Sequence, residues 1–337
     1  MLTRNKYTFQ NFILRARGLI ERQYRVKEWL YPLELSELQK NSDLLRIYKP
    51  VVIIGCGGSG STMLFNMLNE HKQLIPARGF PDGEDTEMWV KVGGALIAGF
   101  GGKHSQLSIG HCLCLPMEED DIDLERINYF HQYCAKKYPR LRNNQFRLLS
   151  KNGHLSNKVR YVHKIFPDVK LIHIIRHPYA TIASWKAILS QCKNLLIEVP
   201  NNSAACINIY PNKGWDKVIG IMSKNNPNLY NPYNVESIRL LARYWLNINS
   251  YIIKQVSQIS NINYYKVKYE DLFIHQRQVT EKILAFCEVS PNDHWTLKID
   301  KIINEKWRNQ LSYQECMLIK EELNDKIESF GYELPQF

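Results

Sequence analysis

The glycine-dense stretch that follows the first strongly apolar run constrains the fold more than any other part of the chain. Residues 51–54 read Val-Val-Ile-Ile, which is typical of a buried strand, and residues 55–60 read Gly-Cys-Gly-Gly-Ser-Gly. Apolar residues then recur at helical spacing from Met63 to Leu68. Glycine lets successive backbone N–H groups point at one spot, and a helix N-terminus adds partial positive charge there. The stretch therefore predicts a strand, an anion-binding loop and a helix.

The loop differs from the common nucleoside-triphosphate loop at one position. Gly55, Gly60 and Thr62 fit the pattern G-x-x-x-x-G-K-[ST], but Ser61 stands where the lysine belongs. That lysine reaches the β- and γ-phosphates, so its absence argues against an ordinary kinase or ATPase. Ser59, Ser61 and Thr62 add hydroxyl donors, and the loop suits a phosphate or a sulfate. A glycine turn without a ligand is the alternative.

The charge balance favours anionic partners. The 337 residues carry a formal net charge of +11, which fits nucleotides, nucleic acid, acidic glycans or a membrane surface. A generally basic surface without a specific polyanion explains the charge equally well. Because no long basic run appears, we expect no nucleic-acid partner.

Cysteine usage and the N-terminus predict a cytoplasmic protein. The eight cysteines include no C-x-x-C pair, so neither zinc nor a disulfide framework is expected. Charge interrupts the first apolar residues too early for a signal peptide, and no transmembrane span is expected. Peripheral membrane contact by the basic N-terminal helix stays open, as does the oligomeric state.

Strands that alternate with helices predict the fold class. Strands are expected at residues 146–154, 169–176 and 263–269, with helices between them. This order is typical of an α/β protein with a doubly wound parallel sheet flanked by helices. We expect an N-terminal helical extension over residues 1–48 and one α/β domain over residues 49–337.

Three other segments have local signals. Residues 70–76 are predicted as a helix end and turn. The acids of residues 118–121 are predicted to open a helix that ends near Tyr138, before Pro139. Residues 194–234 are rich in asparagine and proline and are predicted as a helical insertion, a possible substrate lid.

A second anion site is predicted at the end of the second core strand. Arg176 ends that strand, and Ser184 follows eight residues later in the next helix. Open α/β sheets bind ligands at the carboxyl ends of their strands. An arginine fork with a hydroxyl makes a phosphate clamp. A surface salt bridge is the alternative role for Arg176.

The two units together resemble the sulfotransferases that use 3′-phosphoadenosine 5′-phosphosulfate (PAPS), closest to the bacterial and tyrosylprotein branches. The loop at residues 57–62 is similar to their 5′-phosphosulfate loop, and residues 166–178 with Ser184 are similar to their 3′-phosphate motif. Segments 150–152, 267–272 and 306–308 and a closing Gly331-Tyr332 agree with the resemblance, which runs from about Lys49 to Tyr332. It implies the following PAPS-binding residues: Gly57, Gly58, Ser59, Gly60, Ser61, Thr62, Arg176, Ser184, Tyr269, Lys306 and Arg308. Glu270 and Asp271 are expected to cap the following helix.

One departure concerns the charge of the loop. Many family members carry Arg or Lys just before the loop serine, where this chain has Gly58. Lys151, Lys306 and Arg308 are the candidates for supplying the missing cation.

The resemblance also implies a reaction and its catalytic residues. Sulfuryl transfer proceeds by in-line attack, and positioning and charge stabilisation dominate catalysis without a metal. Lys151 would stabilise the departing bridging oxygen. The acceptor hydroxyl or amine needs a base, and Glu84 after Gly83 resembles the glutamate of the tyrosylprotein branch. Asp85, Glu87 and His154 are rivals.

Two other functions compete with this interpretation. One is a nucleotide kinase with a degenerate phosphate loop, which would need Mg²⁺ and a substitute for the lysine. The other is a non-catalytic basic module that binds glycans or membranes. The acceptor itself, whether a carbohydrate, phenol, lipid or peptide hydroxyl, stays open.

Overall fold

The computed structural model describes residues 46–77, 85, 88–93, 119–189, 194–198, 205–209, 229–230, 236–291 and 306–335. The predicted N-terminal helical extension therefore lies almost entirely outside the described residues.

The described chain runs as alternating strands and helices. The strands are β1 (Val51–Ile54), β2 (Leu74–Pro76), β3 (Arg147–Lys151), β4 (Lys170–Ile175), β5 (Asn194–Glu198), β6 (Ala205–Ile209), β7 (Leu229–Tyr230) and β8 (Asn263–Lys268). The α-helices are α1 (Ser61–Asn69), α2 (Leu124–Lys137), α3 (Val159–Ile165), α4 (Pro178–Leu189), α5 (Glu236–Ser257), α6 (Asp271–Ile274), α7 (Gln276–Cys287) and α8 (Tyr313–Leu323). Shorter helical turns span Met88–Val92, Glu119–Asp121, Pro139–Arg142, Gly153–Asn157 and Asn324–Phe330.

Five strands form one parallel sheet in the order β2-β3-β1-β4-β8. Val51 is in register with Leu149 on one side and with Lys170 on the other. The chain order reverses beside β1, so the carboxyl ends of β1, β3 and β4 meet at one edge. This is the edge at which open α/β sheets bind ligands.

Helices cover both faces of the sheet, which confirms the predicted doubly wound α/β class. Val52 and Ile54 pack into one hydrophobic cluster and Val51 and Ile53 into another, as the alternation of side chains along a strand requires. The first cluster includes residues of α3, α4, α5 and α8, and the second includes residues of α1 and α7. A strand buried on both faces reads as a continuous apolar run, and β1 does so.

The prediction for residues 70–76 is wrong in its second half. Leu74–Pro76 is a strand, β2, and Leu74 pairs with Arg147 of β3. The segment is short and ends in proline, which is typical of a turn. Proline is tolerated here because β2 is the edge strand of the sheet that the described residues form, and no further strand of that sheet needs its missing N–H.

The predicted start of the helix before Pro139 is also wrong. Asp123 caps α2 by accepting a bond from the Arg126 amide at 2.7 Å, and Glu119 lies in a separate turn. Glu119 pairs with Arg160 at 2.6 Å, and this guanidinium lowers the pKa of the Glu119 carboxyl. The acids therefore precede the helix instead of forming its first turn.

The predicted short helices of the 194–234 insertion are contradicted where the structure describes it. Strands β5, β6 and β7 form an antiparallel sheet in the order β6-β5-β7. The asparagine and proline residues of the insertion gave no sign of these strands, and most of them lie outside the described residues. The proposed lid role stays a prediction.

Three features of the described residues complete the fold. The predicted last helix, about residues 312–330, is α-helical only to Leu323 and continues as a tighter turn to Phe330. Cys56, Cys134, Cys287 and Cys316 are free and buried. No helix in the described ranges is long and apolar enough to cross a membrane.

Candidate functional site

The turn between β1 and α1 presents unpaired backbone amides. Ser156 fixes its start, because its hydroxyl Oγ lies 3.0 Å from both the amide nitrogen and the carbonyl oxygen of Gly55. Gly60 precedes α1 in the left-handed conformation, with φ 92°. Within the described ranges, four amides of the turn donate to no other group, those of Gly58, Gly60, Ser61 and Thr62. Amides at a helix N-terminus form a natural anion-binding site.

Ser59 adds a buried hydroxyl to this turn. Its side chain is fully buried, and its Oγ has no hydrogen-bond partner among the described residues. A buried hydroxyl without a partner costs about 1–3 kcal/mol. An oxygen of a bound anion would satisfy it, so the turn fits an anionic ligand.

Neighbouring aromatic rings leave little or no room for a side chain at three glycine positions of the turn. A Cβ at Gly60 would lie 2.2 Å from the ring of Tyr269, and a Cβ at Gly57 would lie 2.5 Å from Trp185. Gly58 has φ 80°, and a Cβ there would lie 3.2 Å from the indole nitrogen of Trp185. The absence of a basic residue at position 58 therefore has a physical reason, because this backbone and this neighbour disfavour any side chain.

Arg176 joins the two predicted anion sites. It follows β4, is 8% exposed, and donates from Nη1 to Ser184 Oγ at 3.1 Å and to the Gly58 carbonyl at 3.3 Å. Its Nε has no partner among the described residues, and burial lowers the pKa of the guanidinium. The structure thus brings Arg176 and Ser184 together, beside the glycine turn.

Tyr269 lies against both anion sites at the end of β8. The guanidinium of Arg176 sits 4.5 Å from the centre of its ring, and Gly60 packs against the same ring. The next residue, Glu270, does not cap α6 with its side chain, which corrects the prediction. Instead its carboxylate accepts bonds from the His177 amide at 2.9 Å and from Tyr332 Oη at 2.7 Å. Glu270 therefore holds the turn after β4.

Lys151 supplies a cation close to the start of α1. It ends β3, is 7% exposed, and donates from Nζ to Thr62 Oγ1 at 3.2 Å. Thr62 follows the position at which nucleoside-triphosphate loops carry their lysine. Among the three candidates for the missing cation, Lys151 has this direct contact with the loop.

The structure describes two of the four candidate bases, Asp85 and His154. Glu84 and Glu87 lie outside the described residues. Asp85 is 1% exposed and accepts bonds from Ser150 Oγ and, at 3.3 Å, from Asn152 Nδ2. A buried carboxylate held in this way anchors its segment to the end of β3 and is poorly suited to take a proton from an acceptor.

His154 lies in the helical turn that follows Lys151. Its side chain is partly buried, and its amide donates to Asn152 Oδ1 at 3.0 Å. It therefore stays a candidate base at the same edge of the sheet.

The segment that contains Lys306 and Arg308 lies beside the end of β4. Trp307 stacks on His177 with ring centroids 5.8 Å apart, and the Arg308 guanidinium lies 4.7 Å from the Trp307 ring centre. Burial, with Arg308 and Arg176 nearby, lowers the pKa of His177 to about 4. Lys306 is exposed.

Three residues at the site were missed from the sequence. Ser156, Trp185 and Tyr244 all hydrogen-bond to the backbone of the glycine turn. Trp185 could have been suspected because it directly follows the predicted site residue Ser184. No sequence pattern pointed to Ser156 or Tyr244. In the part of the chain that the structure covers, no group of three or more His, Cys, Asp and Glu residues could hold a metal ion.

A comparison with protein-family models matches residues 50–200 to the family described as "Sulfotransferase family". The matched segment includes the glycine turn, Lys151, Arg176 and Ser184. The family resemblance predicted from the motifs is confirmed over this segment, and the match supports a transferase. No match was found among curated proteins.

Several solved structures are similar to this chain at low identity. The sulfotransferase domain of the Synechococcus PCC 7002 olefin synthase is 20% identical, covers 88% of this chain and 99% of its own, and has a TM-score of 0.47. Sulfotransferase STF9 from Mycobacterium avium is 14% identical, with 86% and 78% covered and a TM-score of 0.43. Mouse sulfotransferase SULT7A1, solved with PAP, is 12% identical, with 88% and 90% covered and a TM-score of 0.40.

Proposed function

We propose that this protein is a sulfotransferase that moves the sulfuryl group of PAPS to a hydroxyl or amine acceptor. The observation that carries the proposal is the bond from Arg176 to the Gly58 carbonyl, because it links a phosphate clamp to a helix-terminal anion loop. A nucleotide with anionic groups at both its 3′ and 5′ positions requires two such neighbouring sites. When bound, PAPS supplies an activated sulfuryl group.

The residues present fit this donor. The amides of Gly58, Gly60, Ser61 and Thr62 and the unpartnered Ser59 hydroxyl would hold its 5′-phosphosulfate. Arg176 and Ser184 would hold its 3′-phosphate, and the unpartnered Arg176 Nε is a further donor for it. Tyr269 packs beside Arg176, and Lys306 and Arg308 are the proposed additional cations at this end.

Catalysis then depends on two groups at the carboxyl edge of the sheet. Lys151, held at Thr62, stabilises negative charge on the oxygen that departs with the nucleotide. A base takes the proton of the acceptor as its oxygen or nitrogen attacks. Glu84 is the proposed base, with His154 as the alternative, because Asp85 is buried and held by Ser150 and Asn152.

A thermal-shift titration tests the donor. Adenosine 3′,5′-bisphosphate in the presence of EDTA should raise the melting temperature, and ATP with Mg²⁺ should not. The reverse result would reject the proposal in favour of a kinase. Incubation of a metabolite or glycan extract with ³⁵S-labelled PAPS would then identify the acceptor from the labelled product.

A further inference from the structure

Two side chains from different helices hold the backbone of Gly57. The indole Nε1 of Trp185, in α4, donates to the Gly57 carbonyl at 2.7 Å. The Gly57 amide donates to the phenol oxygen of Tyr244, in α5, at 3.3 Å. Both polar groups of this residue are therefore engaged by side chains and not by other backbone groups.

These bonds determine which way the neighbouring amides point. In a planar trans peptide the C=O and the following N–H point in opposite directions. Because the Gly57 carbonyl points at Trp185, the Gly58 amide must point away from it. The Gly58 carbonyl, in turn, is taken by Arg176, and the Ser59 amide of that peptide unit donates to the Cys56 carbonyl at 3.1 Å. The Gly58 amide is left facing away from the helix that carries Trp185.

Tyr244 also contacts the other side of the turn. Besides accepting from Gly57, it hydrogen-bonds to the thiol of Cys56, whose pKa is raised by burial. Cys56 is 1% exposed. Tyr244 thus fixes the residue before Gly57 as well as Gly57 itself, and Trp185 fixes the peptide that follows.

We infer that Trp185 and Tyr244 are positioning residues that aim the Gly58 amide at the 5′ anionic end of the nucleotide. This inference rests on the proposed function. It also explains why the loop has glycine at position 58, because the Trp185 indole, which orients the Gly58 amide, occupies the space beside it.

The test compares three nucleotides by isothermal titration calorimetry. Adenosine 3′,5′-bisphosphate and adenosine 5′-monophosphate contact the loop, whereas adenosine 3′-monophosphate uses only the Arg176 clamp. Trp185→Phe removes the hydrogen bond to the Gly57 carbonyl, Tyr244→Phe removes those to the Gly57 amide and the Cys56 thiol, and both keep an aromatic ring. Tyr264→Phe is the matched control, because it loses a partly buried hydrogen bond to His173 Nδ1, 2.8 Å long, that is away from the loop.

Both variants should bind the bisphosphate and the 5′-monophosphate about 5- to 30-fold more weakly, as expected for one misdirected hydrogen-bond donor. Their affinity for the 3′-monophosphate should stay within about twofold of wild type. Their melting temperatures without ligand should match that of Tyr264→Phe.

Other results would overturn the inference. Equal losses for the 5′- and 3′-monophosphates would indicate general damage to the fold. If Tyr244→Phe binds adenosine 5′-monophosphate as tightly as wild type or more tightly, the phenol only accepts a hydrogen bond from the Gly57 amide and does not position the loop. If the wild-type chain binds none of the three nucleotides, the proposed function itself fails and the inference falls with it.

Discussion

The guanidinium of Arg176 donates to the Gly58 carbonyl at 3.3 Å, although 118 positions separate these residues in the sequence. The same Nη1 donates to Ser184 Oγ. The Arg176 side chain thus connects the turn after β1 to the helix that follows β4. The two predicted anion sites are therefore neighbours that share one guanidinium.

Arg176→Ala should weaken binding of adenosine 3′,5′-bisphosphate by at least about 10- to 100-fold, because hydrogen bonds to charged groups contribute about 1.5–3 kcal/mol each. Arg176→Lys should recover only part of this affinity, since an ammonium cannot replace the planar fork. Calorimetry measures both. Arg277→Ala, which removes an exposed arginine paired with Glu281 at 2.8 Å, is the control. Wild-type affinity in Arg176→Ala would contradict a clamp.

Gly58→Lys places the basic residue that many relatives carry into this loop. The left-handed backbone at φ 80° and the nearby Trp185 should lower the free energy of unfolding by about 1–2 kcal/mol. Affinity for the bisphosphate should not improve. Urea denaturation and calorimetry measure the two effects. Gly153→Ala is the control, because a Cβ there meets only the Gly55 carbonyl oxygen, at 3.6 Å. Tighter binding with unchanged stability would disprove this explanation of the glycine.

Lys151→Met should separate turnover from donor binding. The contact of Lys151 Nζ with Thr62 Oγ1 puts the ammonium at the loop. Loss of a group that stabilises developing charge lowers kcat by about 100- to 1,000-fold. The bisphosphate product should still bind within a few-fold. Once an acceptor is known, steady-state kinetics measures the loss, with the exposed Lys164→Met as control. A comparable loss of binding and turnover would make Lys151 a binding residue only.

The sheet could be predicted where burial leaves a clear pattern. Residues 51–54 are an unbroken apolar run and residues 170–175 are mostly apolar, and both strands are buried on both faces, which is typical of central parallel strands. Leu74–Pro76 could not be predicted, because three residues at the end of a sheet carry no periodicity and proline suggests a turn. Strands β5 and β6 could not be predicted either, because they lie in a segment whose asparagine and proline content is not typical of strands.

The candidate site could be predicted only where its residues are close in sequence. Arg176 and Ser184 share one strand–helix unit, and residues 57–62 share one turn, so their spacing carries the information. The bond between Gly57 and Tyr244 spans 187 positions, and no local pattern indicates it. The need for glycine at position 58 could not be predicted either, because it follows from the left-handed backbone there and from the nearby Trp185 ring.

Asp85→Asn tests whether Asp85 anchors its segment or takes a proton. The amide would turn a donor toward Ser150 or Asn152, so the free energy of unfolding should fall by about 1–3 kcal/mol. The folded fraction should keep most of its turnover, whereas Glu84→Gln should lose turnover and keep stability. Urea denaturation and activity per folded molecule measure these effects, and the exposed Asp325→Asn is the control. A large loss of turnover in stable Asp85→Asn would restore Asp85 as a candidate base.

Stability should fall on mild acidification because of buried histidines. His173 is fully buried between Tyr264 and Asn249, and burial lowers its pKa to about 4. Its pKa in the unfolded chain is about 6.5, so below that pH the unfolded state binds more protons than the folded state. The free energy of unfolding therefore decreases as pH falls from about 6.5 toward 4, by up to about 1.4 kcal/mol per pH unit for this one group.

His173→Gln should flatten this dependence when urea denaturation is measured between pH 7 and pH 5. Burial also lowers the pKa of His131 and His177, so some slope should persist in the variant. The paired carboxylate of Glu288, whose pKa is lowered to about 2, loses its contribution only as its unfolded form protonates, near pH 4 and below. The exposed His275→Gln should follow wild type. If His173→Gln also follows wild type, the charged form of His173 is not excluded by burial.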